Sequence, residues 1–217
     1  MRPDLVIFDC DGVLVDSEIL ASQAMCAVLQ RQGVPVRPEM IAQCVGMKRD
    51  DILAKLAQQT GIAISPETAE EIWPATRALF VETLKPTPGI AAFLDRLPHR
   101  RCVASSSDKT RIRLSLEVTG LLTYFGDHLF SSQEVARGKP APDLFLHAAR
   151  SMGVEPARCV VIEDSPFGIE GARAAGMTAI GYIGGSHLEP PHADVLLAAG
   201  AQHVEADWAA IGRHMGL

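Results

Sequence analysis

Leu5-Val6-Ile7-Phe8 is an unbroken apolar run, branched or aromatic at every position. A strand of that kind has no polar face to offer water. It belongs inside a parallel sheet covered by helices on both sides. The run stops abruptly at Asp9-Cys10-Asp11-Gly12. Open α/β sheets carry their chemistry at the C-terminal ends of their strands, and glycine lets the backbone turn close to a ligand. An inert surface turn reads Asp9 and Asp11 equally well at this point. A calcium loop does not, because Val13 and Leu14 occupy the positions that such a loop gives to an oxygen ligand and to glycine.

Further apolar runs recur, each followed by a helical pattern. Strands are expected at 101–105, 128–131, 158–163 and 178–182, with helices over 108–118, from about 142, and over 166–175. Gly120, Gly153 and Gly176 fall where those helices should end, and Pro142 and Pro166 near helix starts. The alternation predicts an α/β fold with a doubly wound, mostly parallel sheet. Residues 17–84 break the rhythm with only helical patterns, Ile19–Arg31, Lys48–Gln59 and Pro66–Thr83, punctuated by Gly33, Gly46 and Gly61. A helical block between the first two sheet strands reads as an inserted bundle, with Trp73, Phe80 and Leu84 packing inside it. The expected division is an α/β core of residues 1–16 and 85–217 with a helical cap at 17–84. The hinges would be Val13–Ser17 and Lys85–Gly89.

The 217 residues are 47% hydrophobic and 21% charged, which suits a packed globular core. A formal net charge of -6 argues against a general nucleic-acid or anionic-membrane surface, so any bound phosphate needs positive charge focused locally. No stretch approaches the roughly 20 apolar residues of a membrane span. Cys10, Cys26, Cys44, Cys102 and Cys159 are dispersed in apolar surroundings without a C-x-x-C pair, and are expected to be buried, reduced thiols. A cytoplasmic monomer without membrane or nucleic-acid partners is the expectation.

Three further segments bear on the chemistry. Ser105-Ser106-Ser107 follows an apolar strand, as a solvated loop or as hydroxyls donating to a phosphoryl oxygen; it is no G-x-S-x-G elbow. Lys139 sits in Gly138-Lys139-Pro140-Ala141-Pro142-Asp143. Pro140 excludes a P-loop, and the two prolines stiffen the backbone around a lysine that is otherwise free to be a surface residue. Finally, the apolar strand 159–162 runs directly into Glu163-Asp164-Ser165. If it neighbours the first strand, Asp9, Asp11 and Asp164 concentrate negative charge that calls for a cation. An all-oxygen site with open water positions favours Mg²⁺.

Taken in order, FDCDG, VASSS, GKPAPD and VVIEDS resemble the four motifs of the haloacid dehalogenase-like hydrolase superfamily, across nearly the whole chain. The helical insertion resembles the small cap of its β-phosphoglucomutase-like subgroup. The resemblance implies Asp9 as a nucleophile that becomes an aspartyl phosphate, and Asp11 as acid, then base. It implies Ser105 and Lys139 as holders of the transferring oxygens. Mg²⁺ would be bound by Asp9, Asp164 and the backbone carbonyl of Asp11, with Glu163 in support. Gly12, Asp16, Arg49, Ser106 and Ser107 are the candidate substrate contacts, Arg49 matching the cap arginine that binds a non-transferring phosphate.

Dehalogenases and phosphonate-cleaving members of the superfamily it resembles lack an aspartate at the place of Asp11, so the resemblance implies oxygen leaving groups, which need a proton. Sugar phosphomutases of the subgroup carry a cap-linker histidine that aligns with Ala21, and no histidine occurs in residues 1–98. Hydrolysis of a small phosphorylated metabolite, a sugar or sugar-acid phosphate, is therefore expected over a β-phosphoglucomutase-like isomerisation. An inactive binding or regulatory protein on the same fold is the remaining alternative.

Overall fold

The computed structural model describes residues 3–44, 47, 49–188 and 191–217. Gly46 and Lys48 of the expected cap pattern lie outside the described residues.

Six parallel strands form one sheet: β1 (Leu5–Phe8), β2 (Arg100–Ser105), β3 (Leu129–Ser131), β4 (Cys159–Glu163), β5 (Thr178–Tyr182) and β6 (His203–Glu205), in the order β3-β2-β1-β4-β5-β6. The chain winds outward from β1 to β3 and then returns to lay β4 on the other side of β1. This places a topological switch point, the crevice where open sheets bind ligands, between β1 and β4. Parallel strands with a common register end together: Phe8 lies beside Val103 on one side and Ile162 on the other. All four residues of β1 are fully buried, as the apolar run requires.

Helices cover both faces. On one face Val6, Phe8, Val160 and Ile162 pack against α5 (Ile90–Arg96), α6 (Lys109–Val118), α7 (Leu122–Phe125) and α11 (Trp208–Met215). On the other, Leu5, Ile7 and Val161 meet α8 (Asp143–Ser151), α9 (Pro166–Ala174) and α10 (His192–Ala198). The alternation of side chains along β1 assigns its residues to these two layers. Gly120, Gly153 and Gly176 adopt positive φ just past helix ends, where a side chain would be strained.

Between β1 and β2 lie α1 (Glu18–Arg31), α2 (Pro38–Ala42), α3 (Arg49–Thr60) and α4 (Pro66–Thr83). They enclose their own apolar cluster, including Met25, Val28, Leu29, Ile41, Leu56 and Ile72. The inserted helical cap is thus a second small core. One expectation is corrected: Phe80 keeps an edge-on contact with Trp73, ring centroids 6.5 Å apart, but it and Leu84 belong to the sheet-face cluster, because α4 also packs against α6. The segments joining cap to core are laced together. Asp16 N donates to Lys85 O at 3.0 Å, and Thr87 Oγ1 donates to Val13 O at 2.7 Å.

The tail carries β6 and α11. Trp208 stacks on Tyr182 with ring centroids 4.6 Å apart and lies 5.0 Å from Phe93. His203-Val204-Glu205 is half-buried at the edge of the sheet, so the sequence of this strand carries no apolar run.

Candidate active site

The ends of β1 and β4 bring the carboxylates together. Asp9 N donates to Ile162 O at 3.0 Å, so the first residue beyond β1 lies beside the last of β4. One carboxylate oxygen each from Asp9, Glu163 and Asp164 lies within 4.8 Å of the others, and all three residues are buried. Lys139 reaches them from the loop before α8. Its ammonium donates to Asp9 Oδ1 at 2.7 Å and to Glu163 Oε1, with its side chain only 3% exposed. Glu163 is fully occupied, since its other oxygen accepts from Ser165 N and Oγ at 3.0 and 2.9 Å. Gly168 makes room for it: a Cβ there would lie 1.9 Å from Glu163 Cδ.

The charge here is unbalanced. Burial, then the neighbouring Glu163 and Asp164, raise the Asp9 carboxyl well above its usual range in spite of Lys139. Burial and Glu163 raise Asp164 similarly. Burial opposes the Lys139 ammonium, but Asp9 and Glu163 outweigh it and push it up. Asp164 Oδ2 is buried with no hydrogen-bond partner among the described residues. His187 Nε2 lies 3.1 Å from it without hydrogen-bond alignment, and burial holds that imidazole below its ordinary pKa. An orphaned buried acceptor costs about 1–3 kcal/mol. Three hard oxygen donors, one of them unsatisfied, fit a small divalent cation such as Mg²⁺. The Asp11 side chain is not part of this cluster.

Asp11 faces the other way. Its Oδ1 accepts from Ser17 Oγ at 2.6 Å and from Arg111 Nη2 at 2.7 Å, and its Oδ2 from Ser107 Oγ at 2.6 Å. Burial works to raise the carboxyl, but the Arg111 guanidinium and the two hydroxyls outweigh it and hold it below the usual range. The serine loop between β2 and α6 is shaped for this contact. Ser105 Oγ accepts from Ser107 N at 3.1 Å, and Ser131 and Ser132 hydroxyls donate to the Ser107 and Ser106 carbonyls. Asp108 then caps α6 by accepting from Arg111 N at 2.9 Å.

A cavity of about 100 Å³ is lined by Asp9, Asp11, Ser105, Ser106, Ser107, Lys139, Glu163 and Asp164 from the core, and by Glu18, Ala21, Ser22, Met25 and Ile52 from the cap. It adjoins a cleft of about 910 Å³ bounded by α1 and Ser186–Leu188, with Glu18, Ser22, Asp164 and Ser165 common to both. Burial and the nearby Asp11 raise Glu18 to about 7.

Most of the candidate residues therefore meet: Asp9, Asp11, Ser105, Ser106, Ser107, Lys139, Glu163 and Asp164. Three expected substrate contacts do not line the cavity. Arg49 is exposed at the start of α3 and pairs with Asp50. Asp16 accepts from Ser186 N at 3.0 Å and ties the first hinge to the loop after β5. Gly12, at φ +77°, backs onto Asp164, whose Oδ2 would lie 2.0 Å from a Cβ. Ser107 touches Asp11 directly, a supporting contact that its assignment to substrate did not foresee. Arg111, Glu18 and His187 were missed. Arg111 alone had a signal, standing one helical turn beyond a serine loop already suspected of binding phosphate.

The family model for haloacid dehalogenase-like hydrolases matches residues 3–176. The chain is 32% identical over 191 residues to the 6-phosphogluconate phosphatase of Escherichia coli (strain K12), covering 87% of this chain and 86% of that protein. It is 32% identical over 179 residues to that organism's fructose-1-phosphate phosphatase, covering 81% and 94%. Among solved structures, a conserved haloacid dehalogenase-like protein of unknown function from Agrobacterium tumefaciens superposes with a TM-score of 0.84 at 40% identity, covering 99% of both chains.

Proposed function

Since the chain belongs to the haloacid dehalogenase-like hydrolase family and is a phosphoric monoester hydrolase, we propose that it hydrolyses a small sugar or sugar-acid phosphate with Mg²⁺ through a phosphorylated Asp9. The observation that carries the reading is the Asp9–Lys139–Asp164 cluster: a buried carboxylate held 2.7 Å from an ammonium, beside an unsatisfied carboxylate oxygen. The two named relatives act on a sugar-acid phosphate and a sugar phosphate, which supports the substrate class.

In this reading Asp9 attacks phosphorus and forms the acyl phosphate while the ester oxygen departs. Lys139 offsets the negative charge that accumulates as Asp9 meets the phosphoryl group, and Ser105 donates to a phosphoryl oxygen. Asp11, held as a carboxylate by Arg111, Ser17 and Ser107 before substrate arrives, must take up a proton as the phosphate anion enters; it gives that proton to the leaving oxygen and then takes one from the water that attacks the phospho-enzyme. Mg²⁺ would be held by Asp9, Asp164 and the Asp11 carbonyl, supported by Glu163, and would supply charge stabilisation for two anions that must meet. Residues 17–84 would act as a lid about the paired hinges, closing over the substrate. Ala21 supports hydrolysis over isomerisation, because the cap presents a methyl group to the cavity where a phosphomutase would have its histidine.

The test is phosphate release from a panel of sugar and sugar-acid phosphates, with Mg²⁺ and with chelator. Release that requires Mg²⁺ and is abolished in Asp9→Asn is expected. No release from any ester, or release indifferent to Asp9, overturns the proposal. Conversion of β-glucose 1-phosphate to the 6-phosphate with little free phosphate would replace hydrolysis by isomerisation.

A further inference from the structure

Lys139 and Arg111 are the two cations that line the catalytic cavity among the described residues. Lys139 is committed to Asp9 and Glu163 on the phosphoryl side. Arg111 stands on the opposite flank, where Asp11 must meet the leaving oxygen. Its Nη2 is engaged by Asp11 at 2.7 Å, while Nε is buried and has no acceptor among the described residues. The guanidinium is held in place from below, 5.2 Å from the centroid of the Phe80 ring. Arg49, the cation expected to read a second anionic group, is turned to solvent and to Asp50.

We propose that Arg111 is the specificity-determining residue of the enzyme and selects leaving groups that carry a carboxylate. The proposal rests on the phosphatase reading above and deepens it. Arginine presents its donors as a planar fork suited to carboxylates, and a guanidinium already fixed by ring and aspartate loses little freedom on binding. Its reach is set by Asp11. A group that touches the leaving oxygen through Asp11 has Arg111 within one more hydrogen bond, so a carboxylate a few bonds beyond the ester oxygen reaches the part of the guanidinium that lines the cavity. The adjoining cleft leaves room for longer chains.

The test is binding by titration calorimetry in the Asp9→Asn background, which holds ligand without turning it over. Two pairs differ only in a carboxylate replacing a hydroxymethyl group: 3-phosphoglycerate against glycerol 3-phosphate, and 6-phosphogluconate against sorbitol 6-phosphate. In at least one pair the acid is expected to bind about tenfold tighter or more, the increment of one charge-assisted hydrogen bond. Adding Arg111→Gln should abolish that preference, and Arg111→Lys should keep a reduced one, showing that the loss is not misfolding. Equal affinity within both pairs, or a preference that survives Arg111→Gln, overturns the proposal. Because binding is measured without turnover, an absence of phosphatase activity would count against the proposed function alone.

Discussion

Replacing Lys139 with methionine tests the electrostatic frame of the site. The side chain is 3% exposed, its ammonium contacts Asp9 and Glu163, and it lies 5.3 Å from the centroid of the Phe145 ring. Methionine keeps most of the volume and the contact with Phe145, so the loss is almost purely one of charge. It strands two buried carboxylates, and removing one partner of a buried ion pair costs about 3–5 kcal/mol. For a chain of this length about 2–4 °C of melting temperature accompanies each kcal/mol, so the variant should melt roughly 6–20 °C below the wild type in chelator. Glu163→Gln in the same chain removes one stranded charge and should recover part of the loss, with a coupling of about 0.5–3 kcal/mol in a double-mutant cycle. Mg²⁺ should raise the melting temperature of Lys139→Met more than that of the wild type, because the cation then supplies the positive charge that Lys139 no longer brings to the cluster. Thermal unfolding followed by circular dichroism reads all of these. A metal-free Lys139→Met protein that melts within about 2 °C of the wild type would refute the reasoning.

Gly12→Ala would force a side chain at φ +77° into Asp164 Oδ2, so Mg²⁺ affinity measured by calorimetry should fall at least about tenfold; unchanged affinity would separate Asp164 from the metal site. Thr87→Val removes a buried hydroxyl that donates to Val13 O and accepts from Trp208 Nε1 at 3.3 Å, which should cost about 1–3 kcal/mol in urea unfolding. The five cysteines are all free and buried, and burial raises the Cys159 thiol to about 11; in the native protein a thiol reagent should label none of them rapidly, and all should react after denaturation.

Much of this architecture was legible because strong physical signals coincide. Leu5–Phe8 and Cys159–Ile162 could only be central strands, and their abrupt change to carboxylates marks the same edge of one sheet. What stayed hidden depended on tertiary direction. Arg111 reads as an ordinary polar residue of α6 until the helix, started by the Asp108 cap, aims it at Asp11. Arg49 stands at the start of a cap helix, where sequence does not specify which way a long side chain points, and it faces solvent. His187 belongs to a loop with Gly184 and Gly185 that brings it 3.1 Å from Asp164, a contact between residues far apart in sequence. Phe80 and Leu84 carry helical spacing suited to the cap, yet a helix that joins two domains buries its end in the second one.

The central claim is that Asp9 carries the phosphoryl group. Brief mixing of the enzyme with a radiolabelled phosphate ester and Mg²⁺, followed by acid quenching, measures it directly. The account predicts label on the protein, within the peptide containing Asp9, lost on treatment with hydroxylamine and absent in Asp9→Asn. Turnover of the ester without label on the protein under any quench time, or label on a residue other than Asp9, would contradict it.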